Sequence, residues 1–339
     1  MPSIHDLPTP LPIVDADALQ HNLATMAALR PGTRLRPHVK AHKCTSLAAE
    51  QVRHGHLGFT CATPREVMGM AAAGVGNDLL LANETLDVHR LTQMADIERA
   101  TPGLRITVAV DSEATVDAAV DAGIKEVLID VNIGLPRCGC SPSQAGRLAD
   151  YARRRGLSVR GTMGYEGHLM MVLDPIEQKA KVDAAVDLLM AAHTDVGGEL
   201  VSSGGTGTFH LHDRVDEVQA GSYALMDTQY GTRDQPFRQA LFIWSTVISV
   251  SKDWAVCDAG LKSLSMDHGN PSIADATVWF CSDEHITFAP SAGTGALKVG
   301  QRIAVSPAHV DPTLALHDRM VVFRGETPLD EWPIDLRGW

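Results

Sequence analysis

Along residues 11–225 the hydrophobic positions alternate between two periods. Short apolar runs such as LPIV (11–14), DLLLAN (78–83) and RITVAV (105–110) have the length and composition of buried strands. Apolar positions three and four residues apart follow them, the spacing of one helix face. Residues 105–130, RITVAVDSEATVDAAVDAGIKEVLID, make the clearest unit. A strand leads to Asp111 or Ser112 as helix N-cap; Val116, Ala119 and Val120 form the buried face; Gly123 supplies the C-cap, and a second strand follows. Pro64 and Gly74 bracket a further helix. LSVRGTMGYEG (157–167), ELVSSGGTGT (199–208) and DEVQAGSYAL (216–225) add strands. About eight such units predict an α/β fold, a parallel (β/α)8 barrel over residues 11–230, with an open doubly wound sheet as the alternative.

After about residue 235 the helical period disappears. LFIWSTVISVSKDWAVCDAG (241–260), DATVWFCSDEHITFAP (275–290) and GQRIAVSPAHV (300–310) are short strands broken by Gly, Pro and Asp. They predict an appended, mostly β domain made of residues 231–339 with residues 1–10.

Composition changes this picture little. The chain has 339 residues, 45% hydrophobic and 21% charged, which suits a globular protein with a sizeable core. Its net charge of −12 excludes the basic footprint of a nucleic-acid binder. No apolar run approaches membrane-spanning length, and MPSIHDLPTPLPIVD lacks the pattern of a signal peptide. Six scattered cysteines, only Cys138 and Cys140 close together, predict reduced thiols and a cytoplasmic location.

Candidate chemistry sits in four places. In LRPHVKAHKC (35–44), a strand would put Leu35, Pro37, Val39 and Ala41 on one side and Arg36, His38, Lys40 and His42 on the other. Such a face is either solvated or lines a cavity that takes an anion. In a cavity, His38, His42 and Lys43 would lower the pKa of Lys40 and suit it to Schiff-base chemistry. VSSGGTGTF (201–209) ends a strand in a glycine turn whose backbone N–H groups, with Ser203 and Thr206, suit a phosphate, although it lacks the lysine of a P-loop. Gly221 and Ser222 offer a second pair close by. In AHVDPTLALHD (308–318), His309 and Asp311 would share one face of a strand and could hold a divalent ion, with water or substrate completing the shell. A hydrogen-bonded His–Asp pair is the plainer reading there. Together, a reactive lysine, a phosphate cradle and a metal match the needs of pyridoxal phosphate (PLP).

PHVKAHK (37–43) resembles the cofactor-lysine motif of the alanine-racemase-like, fold type III PLP enzymes, in their D-threonine aldolase and D-serine dehydratase branch. TPLPIVDADALQHNL, SSGGTGT, QAGSYALMD, DAGLKSLSMDHG, DEHITF and HVDPTLALHD resemble further family segments, so the likeness runs through nearly the whole chain. It implies that Lys40 bonds PLP, that Ser203, Gly204, Thr206, Gly221 and Ser222 hold its phosphate, that Tyr165 lies against the ring, and that Arg137 lies near the phenolic oxygen. Gln219 stands where alanine racemases place an arginine against the pyridine nitrogen, which speaks against racemization. The branch's dehydratases carry His-x-Cys, a pair for zinc; His309-Val310-Asp311 resembles the aldolases and suits Mn²⁺ or Mg²⁺. The implied activity is cleavage of small D-threonine-like 3-hydroxy amino acids to glycine and an aldehyde, with His168 or a metal-bound hydroxide as base. Dehydration of D-serine or 3-hydroxyaspartate, and a non-catalytic PLP carrier, are the alternatives. The family also implies a homodimer, with no nucleic-acid or membrane partner.

Overall fold

The predicted alternation is realised in a computed structural model that describes residues 3–293 and 295–339. In chain order the first strands are β1 (Leu11–Asp15), β2 (Gly58–Cys61), β3 (Asp78–Leu81), β4 (Arg105–Val110), β5 (Glu126–Asp130), β6 (Ser158–Met163), β7 (Leu200–Ser203) and β8 (Glu217–Val218). They are followed by β9 (Leu241–Val250), β10 (Ala255–Cys257), β11 (Ser272–Ile273), β12 (Ala276–Cys281), β13 (Ile286–Pro290), β14 (Arg302–Ser306), β15 (Arg319–Arg324) and β16 (Thr327–Pro333). The chain divides into two compact units. One holds residues up to Met26, Ala41–Leu47 and Ser222–Asp335; the other holds Ala27–Lys40, Ala48–Gly221 and Leu336–Trp339.

In the second of these units β2 to β8 form a seven-stranded sheet in sequence order, every pairing parallel. Parallel neighbours need crossovers, and helices such as Pro64–Ala73, Glu113–Ala122 and Pro142–Arg154 supply them. Their ends obey the sequence signals. Thr63 and Ser112 are N-caps, and Gly74 and Gly123 close their helices in the left-handed conformation. Strands β3, β4 and β5 bury every residue after the first, as strands covered on both faces must. Leu80, Ala109, Leu128, Met163 and Leu200 pack as one cluster.

The expected eight-stranded barrel takes a different form. The parallel sheet has seven strands, and Leu35 and His38 make isolated parallel bridges to Val218 and Thr60, linking its two edge strands. Pro37 has no N–H for a ladder, although its carbonyl accepts the Thr60 N–H at 2.9 Å. Past His38 the backbone tightens into a single 3₁₀ turn, Val39–Ala41, which ends the alternation expected through residue 44. Between β5 and β6 the register slips by one residue: Val127 faces Val159 but Leu128 faces Gly161, which leaves Arg160 as the extra residue of a bulge. A Cβ at Gly161 would overlap the Leu200 carbonyl, so this position takes only glycine.

The other unit is built on a nine-stranded sheet whose main path is β12-β13-β10-β9-β1-β15-β16. Here β1, read from sequence as the opening strand of the barrel, pairs parallel with β15 and antiparallel with β9. LPIVD is apolar enough for either sheet, and its own pattern names no partner. Ile243, Val247, Cys257, Ile286, Phe288 and Val305 form part of this unit's core. All six cysteines are free thiols. Among the described residues no helix is long and apolar enough to cross a membrane.

Candidate active site

Parallel strands send all their C-terminal ends to one side of the sheet, and loops leaving that side carry the candidate cofactor residues. Arg137 follows β5, Tyr165 and His168 follow β6, Ser203 to Thr206 close β7, and Gln219 and Gly221 follow β8. Lys40 lies in the 3₁₀ turn after the bridging segment, and its backbone N–H donates to His38 Nδ1 at 3.4 Å. The Lys40 ammonium is 5.8 Å from the centroid of the Tyr165 ring and the Arg137 guanidinium 5.3 Å from it. Both are within cation–π reach, so three residues separated in sequence are brought together.

The glycine turn after β7 is pressed closely from its flanks. Gly204 has φ +86°, and a Cβ there would meet the His212 ring at 2.9 Å. A Cβ on Gly205 would meet Met170 Sδ at 2.9 Å and the Tyr165 ring at 3.3 Å. The Ser203 hydroxyl donates to the Gly164 carbonyl at 2.8 Å, and the Gln219 amide donates to Ser202 Oγ at 2.8 Å. Thr206 is buried and His168 is exposed beside Gly134. Two cations at an aromatic ring and a backbone turn with no room for side chains fit PLP, which brings a flat ring, a phenolate and a phosphate.

Sequence reasoning missed a pair of acids on this side. Asp130, the last residue of β5, is buried and hydrogen-bonded to Glu84. Burial, then the charge and hydrogen bond of Glu84, push its carboxyl well above the usual range, against the pull of Arg137. The neighbouring Cys138 thiol is pushed up to about 11 by burial and by Glu84.

Arg36 does not join Lys40. It is buried, with Nε 2.7 Å from Glu217 and Nη2 3.0 Å from Asp78, the first residues of β8 and β3. Arg160 reaches the same Asp78 at 2.8 Å and donates to Thr107. Burial would raise the Asp78 carboxyl, but hydrogen bonds from Arg160 and the charge of Arg36 outweigh it and hold the group far below its ordinary value. The extended segment ends at His38, and the 3₁₀ turn Val39–Ala41 carries Lys40 out of the line of Arg36. Arg36 therefore serves the N-terminal end of the sheet.

In the other unit, His309 is not on a strand. It is the N-cap of a helix, Val310–Ala315, with Asp311 in the first turn. Pro312 marked that helix start, since the first turn leaves its N–H unused. Asp227 is buried and accepts the Val310 N–H at 3.1 Å, and burial pushes its carboxyl up to about 6. Asp311 accepts from the Ser222 hydroxyl at 3.3 Å. His309 Nδ1 lies 2.7 Å from Asp267 Oδ2, and its ring stacks on His268 at 3.8 Å. Ligand atoms of Asp267, His268 and His309 lie within 4.8 Å of one another, a set of imidazoles and a carboxylate that fits a divalent ion. Asp267 and His268 were missed because an adjacent Asp-His pair has no ligand spacing of its own; His309 stands 42 residues beyond Asp267.

Comparison with known proteins accounts for both units. The alanine racemase, N-terminal domain family matches residues 14–229, and a putative serine dehydratase domain matches residues 240–323. A D-threonine aldolase of Arthrobacter sp is 33% identical over 98% of this chain and 93% of its own. A 3-hydroxy-D-aspartate aldolase of Paracoccus denitrificans (strain Pd 1222) is 31% identical over the same shares, 98% and 93%. The crystal structure of a D-threonine aldolase from Filomicrobium marinum, 35% identical, superposes with a TM-score of 0.92 over 98% of this chain and 96% of that one. On the family match and on a likeness that runs from end to end, this chain belongs to the alanine racemase N-terminal domain family, joined to a putative serine dehydratase domain.

Proposed function

We propose that this lyase cleaves D-3-hydroxy amino acids of the D-threonine kind into glycine and an aldehyde. It would use PLP on Lys40 and a divalent ion, Mn²⁺ or Mg²⁺, held by His309 and Asp311 with help from Asp267 and His268. The observation that carries this reading is the donor set around His309, imidazole and carboxylate without thiolate, which suits a hard ion able to acidify a hydroxyl. The likeness to a D-threonine aldolase along the whole chain supports it.

When bound, PLP supplies a sink for the electrons left at Cα, and the ion lowers the pKa of the substrate's β-hydroxyl. The chain's own residues do the rest. Lys40 Nζ is the covalent attachment point. Arg137 and Tyr165 orient the ring, and the turn after β7 fixes the phosphate. Gln219 presents a neutral amide instead of a cation. His168, exposed in the turn after β6, takes the hydroxyl proton at a ring nitrogen and can hand it to water.

Product analysis tests the proposal. Protein supplied with PLP is given D-threonine, L-threonine, D-serine and D-3-hydroxyaspartate, with chelator and with Mn²⁺ restored. Aldehyde and glycine should form from the D-enantiomer alone, vanish with chelator and return with Mn²⁺. A 2-oxo acid as the main product would make the protein a dehydratase instead. Asp311→Ala should lose aldehyde release while borohydride still traps PLP on Lys40.

A further inference from the structure

Glu166 follows Tyr165 and is fully buried, so it can meet no substrate. Its carboxylate nevertheless accepts from Thr208 Oγ and His212 Nε2, each at 2.6 Å, and lies 3.2 Å from Ser203 Oγ, whose one hydrogen is shared with the Gly164 carbonyl at 2.8 Å. Ser203 and Thr208 are the two ends of the glycine turn, and Thr208 Oγ also accepts the Gly205 N–H at 3.3 Å. His212, the other donor, is the ring against which Gly204 rests, and its own carbonyl is held by Arg30 at 2.8 Å. Burial alone would raise the Glu166 carboxyl, but the hydrogen bonds and charge around it hold it below its ordinary value, so it stays ionised. One carboxylate therefore closes the turn from both ends and fixes its backing ring.

We propose that Glu166 is a positioning residue which, through Thr208, Ser203 and His212, sets the shape of the 203–208 turn and thereby the protein's grip on the phosphate of its cofactor. The Ser203 hydroxyl serves this internal clip, and phosphate recognition falls to the backbone of the turn. The inference rests on the PLP reading above, and its test separates the two.

Apoprotein is titrated with PLP and with pyridoxal, which offers Lys40 the same aldehyde without a phosphate; the readout is the visible absorption of the lysine adduct. Glu166→Gln and Thr208→Val should each lose about ten-fold or more in affinity for PLP, the scale of one charge-assisted hydrogen bond, while pyridoxal binds as to the wild type. Thr208→Ser keeps the hydroxyl and should restore PLP binding, and this pair decides the matter if Glu166→Gln fails to fold. Unchanged PLP affinity in the variants overturns the proposal. So does an equal loss for PLP and pyridoxal, which would mark the network as merely structural. A wild type that forms no adduct with either aldehyde overturns the PLP reading itself.

Discussion

The two ends of the seven-stranded parallel sheet handle charge in opposite ways. At the N-terminal end, Arg36 and Arg160 converge on Asp78, Arg36 also pairs with Glu217, and Arg105 joins Glu126 and Glu199. Cation and carboxylate alternate there, so buried charge is neutralised within the chain. At the C-terminal end, Lys40 and Arg137 lie over a tyrosine ring, and Asp130 and Glu84 crowd together so that one is driven toward its neutral form. The first arrangement costs little once formed and does nothing further. The second keeps one carboxyl raised by its burial and its acidic neighbour, close to the cation Arg137. One sheet thus closes its charges on one another at one end and, on the function proposed above, leaves the other end for chemistry.

The sharpest way to break this contrast is Lys40→Ala. It should abolish the PLP adduct and lower aldehyde release by about 10³-fold or more, the scale for removing a covalent-catalysis residue, with little change in the apoprotein's melting temperature. A large drop in melting would make Lys40 part of the fold. Arg160→Met is the converse. It leaves Asp78 with fewer partners and should cost about 3–5 kcal/mol in urea unfolding while kcat of the folded protein holds. A kcat that falls in proportion would erase the division between the ends.

The smallest expected effect sharpens the comparison by pH. Asp130 has a raised folded-state pKa, so its contribution to stability is full below the unfolded carboxylate value, about 3.9, and is lost as pH climbs toward the folded value. Asparagine at 130 has no such loss. Urea unfolding of Asp130→Asn should therefore gain on the wild type from about pH 4 upward, by roughly 1 kcal/mol for each pH step of one until the folded value is passed. A difference independent of pH would sink the burial argument.

Local features of this fold were legible because local physics decides them. Ser112 with Gly123, and Pro64 with Gly74, mark helix ends through interactions a few residues long, and these hold in the structure. The glycine turn after β7 was equally readable. The fate of Arg36 was not, since it depends on Asp78 and Glu217, 42 and 181 residues away. The same holds for Glu166, whose partners arrive from residues 203–212. At His309 the error was one of period: a His-x-Asp spacing suits a strand, while Pro312 in the next position favoured a helix start. The aromatic and cationic trio of Lys40, Arg137 and Tyr165 was assembled from family likeness rather than from spacing.

The extra residue in β6 sets the parity of everything downstream on that strand. A regular strand hands successive side chains to alternate faces, so its exit is fixed by an odd or even count from its entry. The bulge at Arg160 adds one to that count, turning Arg160 toward Asp78 and resetting the faces for Thr162 and Met163. Deleting a single residue here would keep the composition of the strand nearly intact yet exchange the faces of Thr162 and Met163, its last two residues. Length is thus a constraint on this strand as firm as the glycine at 161.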